Sequence, residues 1–511
     1  MIFKRKLLII GIMMLLVVLT LSSCMKKALN ISDNNEVKLK WVLLSPGKQI
    51  DQQRVWDEFN KKLEKAMPNT KVDFIGITPA DYQQKWSLMC ASNENVDIAW
   101  TGYLMNYEQE IRNGNYMELD DLLLKNAEEL KKSLPDWVWD TTKVEGKIYA
   151  VPNFQMIAGG LYGLRTPKKL ADKFLDVKKA QEVFLRNKTF NAECYDVIEE
   201  YLAELLKNNE LQKGMSSYFP AVDLKGYDVI AQDLVIKQDD KNFNVMYKFE
   251  TPEAKLNFQK MASWFNKGYI RKDVLSVNNA MDDDGKENGH VVWMTTVFNN
   301  QAQLDSKQFG YPIDVIPISD YYFMNGYTKP ATATAIARTS QNPQSAIKLI
   351  ELLNTSKGKE LYNELVYGIE GEHYKKINDK RINTLSFNGT PNANSKYGID
   401  KWVLGNTFNA YETQTDPEGY NDFIKNNVNE QSVKSQLSGF KPNTDALAVE
   451  YSQIASIKKE FLKSLTSGAL GDKWEETFNK YMEKLKNAGI DKIKAEIQNQ
   501  VDDYAKKKGL R

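Results

Sequence analysis

Five short stretches of the chain gather aromatic rings, uncharged amides and hydroxyls. They are Ser45-Pro46-Gly47, Trp100-Thr101-Gly102-Tyr103, Asn153-Phe154-Gln155, the run from Trp293 through Thr296 to Asn299, and Trp402 with Asn406 four residues on. An aromatic ring can lie flat on the apolar C–H face of a sugar and bury it without needing a partner at its edge. Asn and Gln amides both donate and accept, as a sugar hydroxyl does. The chemistry these residues suit is non-covalent recognition of a neutral, hydroxyl-rich ligand. Covalent chemistry is poorly served. The chain has no G-x-S-x-G elbow, phosphate-cradling Gly-rich loop or H-E-x-x-H helix, and Gly159-Gly160 lacks the spacing of a dinucleotide loop. The two histidines, His290 and His373, read as surface or structural imidazoles, and three cysteines leave no Cys/His zinc pattern. Asp282-Asp283-Asp284 fails as a calcium loop, because placing Gly285 sixth puts Ala280 first and Val291 twelfth. We expect no cofactor, no metal and no catalytic residue. A glycoside hydrolase, which needs only two carboxylates suitably apart, stands as the enzymatic alternative.

The stretches fall at the ends of predicted strands. Residues 37–44 alternate and then become wholly apolar, as a buried strand does, before Ser45-Pro46-Gly47 breaks them. Val55, Phe59 and Leu63 give residues 50–67 a helical face. A strand at 72–75 follows, then a helix opened by Thr78-Pro79, then a strand ending at Trp100. This β-α-β-α-β order implies a parallel sheet with right-handed crossovers. A second cluster has strands over 147–151 and 291–294 and helices over 192–207 and 252–267, the latter capped by Thr251 and ended by Gly268. Asn342-Pro343 opens a further helix. The last hundred residues are mostly helical, with stripes Trp474/Phe478/Tyr481/Leu485 and Ile493/Ile497/Val501. No long linker interrupts the chain, so two α/β lobes should pack closely. The chain should cross between them near residues 152–154 and 327–332, with the cleft between the lobes as the expected site.

Charge and the N-terminus set the setting. Among 511 residues, 68 are Lys or Arg and 67 Asp or Glu, and no basic stripe with interleaved aromatics is present, which excludes a nucleic-acid binder. Lys4-Arg5-Lys6, the apolar run 7–21 and Ser22-Ser23 make a secretory signal, too short for the ~18–20 residues of a membrane span. Leu21-Ser22-Ser23-Cys24 resembles a bacterial lipobox, which implies cleavage before Cys24 and lipidation of its sulfur. Cleavage removes three positive charges from a formal +1 and leaves −2. The polar residues 25–36 read as a tether to the outer face of the cytoplasmic membrane. Cys90 and Cys194 read as two small buried thiols without a disulfide.

Over nearly all of residues 37–511 the chain resembles the family 1 extracellular solute-binding proteins of bacterial ABC importers. The matching pieces are Val144-Glu-Gly-Lys-Ile-Tyr-Ala-Val-Pro152, Asn288-Gly-His-Val-Val-Trp293 and Ala333-Thr-Ala-Ile-Ala-Arg-Thr-Ser-Gln-Asn-Pro343. Tyr367-Gly-Ile-Glu-Gly-Glu-His-Tyr374 and Leu485-Lys-Asn-Ala-Gly-Ile-Asp-Lys-Ile493 resemble a lipoprotein subgroup with a C-terminal region of unassigned function. The resemblance implies an α/β, two-lobe periplasmic-binding-protein-like fold with an interlobe cleft and a mostly helical C-terminal extension. Residues 37–152 and about 329–372 would form one lobe, and 153–328 with about 373–511 the other. It also implies a lipid-anchored monomer that captures a small molecule, most often an oligosaccharide, and delivers it to ABC permease subunits. Ser45, Trp100, Thr101, Tyr103, Asn153, Gln155, Trp293, Asn299, Trp402 and Asn406 would form the site. Gln155 is neutral where maltodextrin-binding members carry a carboxylate, and Leu104-Met105 replaces a charged pair, which points away from maltodextrin. A peptide-binding member, which would need charged partners for the peptide termini, is the alternative within the class.

Overall fold

The structure is a computed structural model and describes residues 36–159, 161–216, 225–277, 280, 283–287, 293–297 (as backbone), 301–327 and 330–511. Cys24 and its neighbours up to residue 35, His290 and Asn299 lie outside the described residues.

Leu39, Trp41, Val42 and Leu43 are all buried, which requires both faces of their strand to be covered. That strand, β1 (Val37–Leu44), pairs in parallel with β2 (Thr70–Ile77) on one side and β3 (Ile98–Gly102) on the other. Helix α1 (Gln52–Ala66) buries Val55, Phe59 and Leu63 against the sheet, and α2 (Pro79–Ala91) buries Tyr82 and Trp86. A short helix, α3 (Tyr107–Arg112), follows β3. The strand expected over 147–151 is two pieces, Lys147–Ile148 and β4 (Ala150–Pro152). Pro152 can sit in β4 because β4 is the sheet edge, where no ladder donor is missed.

The chain then enters the second lobe. Strand β5 (Leu161–Pro167) lies between β8 (Trp293–Val297) and β9 (Ile313–Pro317), antiparallel to both. A smaller sheet contains the hairpin β6 (Tyr227–Ala231) and β7 (Leu234–Lys237). Helices α4 (Ala192–Lys207) and α5 (Pro252–Lys267) close one core around Tyr195, Leu202 and Trp264. Thr251 caps α5 by accepting from Ala254 N at 3.3 Å, and Gly268 ends it at φ +81°, the pattern its sequence announces. Within this lobe the buried Arg165 guanidinium bonds both oxygens of Asp305, at 3.1 and 3.2 Å.

The return strand, β10 (Thr332–Ile336), runs antiparallel between β3 and β4, with Ala333 opposite both Thr101 and Pro152. The outgoing and returning crossings are therefore neighbours. The core of the first lobe continues through Tyr374, Ile382, Tyr397, Val403 and Tyr411, past the expected boundary at about 372. Helices α6 (Ala448–Thr466), α7 (Trp474–Asn487) and α8 (Ile490–Lys507) complete the chain. Their Leu465, Tyr481, Leu485, Ile493 and Val501 form one core with Ile230, Leu234 and Phe258 of the second lobe. Cys90 and Cys194 are free thiols, and burial pushes them up to about 12 and about 11.

Candidate functional site

β1, β2, β3 and β4 all end on one edge of the first sheet, and β10 begins there. Ser45 closes β1 as a buried turn builder: its Oγ donates to Gly47 O at 3.0 Å and accepts from Gly47 N and Gln52 Nε2. Trp100 and Thr101 are fully buried. The Trp100 ring meets Tyr82 edge-on at 5.2 Å and Tyr103 at 5.7 Å, so it underlies the edge rather than facing solvent. A Cβ on Gly102 (φ +156°) would come within 2.4 Å of Ala331 O, which is why the strand ends on glycine. Tyr103 then turns outward, 60% exposed, with its ring 6.0 Å from that of the half-buried Trp402.

Asn153 lies inside this edge. Its Nδ2 donates to Trp402 O and Val403 O at 2.9 and 3.1 Å, and its Oδ1 accepts from Thr334 at 2.9 Å. Gln155 donates to Thr332 Oγ1 at 3.0 Å, and Thr332 passes the bond on to Trp402 O at 2.8 Å. Asn429 grips the same crossing, donating to Gln155 O at 2.7 Å and accepting from Ile157 N at 2.9 Å. Asn406 builds the turn behind Trp402, capping Phe408 N at 3.1 Å and bonding Asn354. Trp293 opens β8 in register with Arg165; its side chain, like Asn299, lies outside the described residues. Of the ten expected residues, Tyr103, Gln155 and Trp402 therefore combine at an accessible edge. Trp100 packs against Tyr103 and Asn153 holds the Trp402 carbonyl, while Ser45 and Asn406 build turns and Thr101 lies buried in the sheet.

Sequence reading passed over Asp400, whose carboxyl burial pushes up to about 6 beside Tyr103. It expected a site between the lobes but named none of the residues that line the cavity of about 510 Å³ found there. Asn106, Gln109 and Arg112 come to it from the first lobe, Gln232 and Tyr327 from the second, and Asp445 and Tyr451 from the C-terminal region. Arg112 Nη2 and Asp445 Oδ1 meet across the gap at 2.7 Å. A cavity of similar volume lies within the second lobe, between residues 185–189, Lys225 and Tyr321. His373 is a structural imidazole: Nδ1 accepts from Ile369 N at 3.0 Å and Nε2 lies 3.1 Å from Asp51. Among the described residues no group of His, Cys, Asp and Glu is placed to hold a metal ion, and no helix is long and apolar enough to cross a membrane.

Residues 436–506 match a family model described as a domain of unknown function (DUF3502). The chain is 27% identical over 467 residues to a carbohydrate ABC transporter substrate-binding protein of Streptococcus pneumoniae, covering 88% of this chain and 87% of that one. Among solved structures it is similar to the N-glycan transport solute binding protein (NgtS) of Streptococcus pneumoniae, at 24% identity and TM-score 0.75 over 92% of this chain and 99% of that one. The TM-score is 0.66 against the same relative in complex with Man1GlcNAc and 0.63 in complex with Man5GlcNAc. An extracellular solute-binding protein from Bifidobacterium longum subsp. infantis matches at 16% identity and TM-score 0.59, over 93% of this chain and 99% of that one. The two-lobe fold is that of extracellular solute-binding proteins, with a helical C-terminal region packed on the second lobe.

Proposed function

We propose that the chain is the extracellular binding component of an ABC importer and captures a neutral oligosaccharide by closing its lobes. The observation that carries this reading is the edge where Tyr103, Trp402 and Gln155 stand beside two neighbouring interlobe crossings. Exposed rings supply area for the C–H faces of a sugar, and the Gln155 amide matches its hydroxyls. A ligand that touches both walls only when they approach binds the closed state better, and this difference shifts the population toward closure. Release leaves the sugar unchanged, and delivery to permease subunits follows from the class. Lipidation at Cys24 would hold the monomer at the outer face of the cytoplasmic membrane, and metabolic labelling with palmitate lost in Cys24→Ala checks it.

The test is titration of the mature chain with neutral glycans built of mannose and N-acetylglucosamine, followed by tryptophan fluorescence and calorimetry. Saturable binding with intact sugar recovered is expected. No response to any glycan overturns the reading, a response to peptides alone selects the peptide-binding alternative, and shortened products would make the chain a hydrolase.

A further inference from the structure

The domain at residues 436–506 has no assigned role, yet it reaches the opposite lobe. The loop before α6 makes two contacts there: Lys441 Nζ donates to Thr141 O at 3.2 Å, and Asp445 pairs with Arg112 at 2.7 Å. The loop is held from behind by the last helix. Gln500 accepts from Asn443 N at 2.8 Å and donates to Asn443 O at 2.9 Å, on a helix whose Ile497 and Val501 are fully buried. A loop braced in this way makes a fixed wall.

Between that wall and α3 lies the interlobe cavity, and its volume of about 510 Å³ falls in the range of roughly 300–1,000 Å³ usual for small-molecule sites. Its lining mixes the Gln109 and Gln232 amides, the Tyr327 and Tyr451 phenols and the Arg112–Asp445 pair. These groups suit uncharged hydroxyls: amides and phenols donate and accept, the two charges already satisfy each other, and Gln109, which accepts from Arg112 at 3.2 Å and donates to Asn113 at 2.8 Å, keeps one N–H and one carbonyl lone pair to offer. The Tyr451 hydroxyl is out of water and has no hydrogen-bond partner among the described residues. Burial pushes that phenol up to about 12, so it remains a proton donor at neutral pH. A buried donor without an acceptor is destabilising, and a turn of the half-buried Tyr451 side chain that brings its hydroxyl to an incoming sugar hydroxyl would offset that loss.

We propose that the C-terminal domain is a ligand-binding wall, and that it seats one residue of a neutral glycan in this cavity between Tyr451, Gln232 and Gln109. The proposal rests on the oligosaccharide-binding reading above and adds a subsite away from the Tyr103–Trp402 edge. The test is calorimetry of the full mature chain with a mannose and N-acetylglucosamine oligosaccharide, comparing wild type with Tyr451→Phe, Gln232→Ala and Asp445→Asn. We expect Tyr451→Phe and Gln232→Ala to lose about tenfold in affinity, with the melting temperature of Tyr451→Phe unchanged or raised. If wild type binds and both variants bind equally well, the subsite falls and the edge reading stands. If only Asp445→Asn weakens binding, the domain is a strap between lobes and the subsite is again overturned. If wild type binds no glycan, both readings fall together.

Discussion

The first lobe offers the cleft the ends of strands that ladder pairing holds to the residue: Trp41 sits opposite Ile98, Trp100 opposite Thr334 and Pro152 opposite Ala333. Among the described residues, the second lobe contributes no strand end to the cavity between the lobes. Its share of the interlobe cavity comes from a hairpin turn at Gln232, the approach to the return crossing at Tyr327, and Asp445 and Tyr451 more than a hundred residues later. Its apolar interior is likewise divided, one cluster around Trp264 and another shared with the C-terminal helices. One wall is therefore a rigid template fixed by a single sheet. The other is an assembly of remote pieces, where substitutions can change the lining without disturbing a ladder.

This contrast can be broken by mutation. Trp100→Ala should cost about 3–5 kcal/mol of stability in denaturant unfolding, because a fully buried indole leaves a cavity under the edge. Asp305→Ala should cost a similar ~3–5 kcal/mol in the second lobe by stranding a buried guanidinium, while the double change Arg165→Met with Asp305→Leu should recover much of it. Tyr103→Ala should move stability by less than about 0.5 kcal/mol and weaken glycan binding about tenfold, roughly 1.4 kcal/mol. A Tyr103 variant as unstable as the Trp100 variant would erase the distinction between template and surface.

A further expected effect is in pH. Burial holds Asp228 up to about 6, against the pull of Ser435 and Gly326 N, and burial alone does the same to Asp400. Both folded values lie above the ~3.9 of an unfolded aspartate. Their stabilising contribution is thus fully present below about pH 4 and lost as pH rises through about 6. Melting temperatures across that window should show a declining component that Asp228→Asn and Asp400→Asn each lack. A difference between wild type and either variant that rises with pH over that window would contradict the assignment.

Much of the frame could be read from the residues. Alternation found β1 to β3, Thr251-Pro252 and Gly268 bracketed α5, and the stripe through Phe478, Tyr481 and Leu485 marked α7. The facing of individual side chains could not. In a sheet covered on both faces, Trp100 and Thr101 are both inside although they point opposite ways, so a strand end rich in polar and aromatic residues does not tell which ones emerge. The first lobe runs on to Tyr411 because Tyr374, Ile382 and Tyr397 join its core from short irregular pieces that carry no period. The lining of the interlobe cavity was illegible for a related reason: Gln109, Gln232 and Tyr451 share no spacing and meet only through the fold.

The two crossings run side by side, joined through Ala333 and Pro152. A third passage, from Tyr411 in the first core to Leu437 in the second, ties the same halves again, so any relative motion of the two has to be absorbed at three strands of chain rather than at one seam.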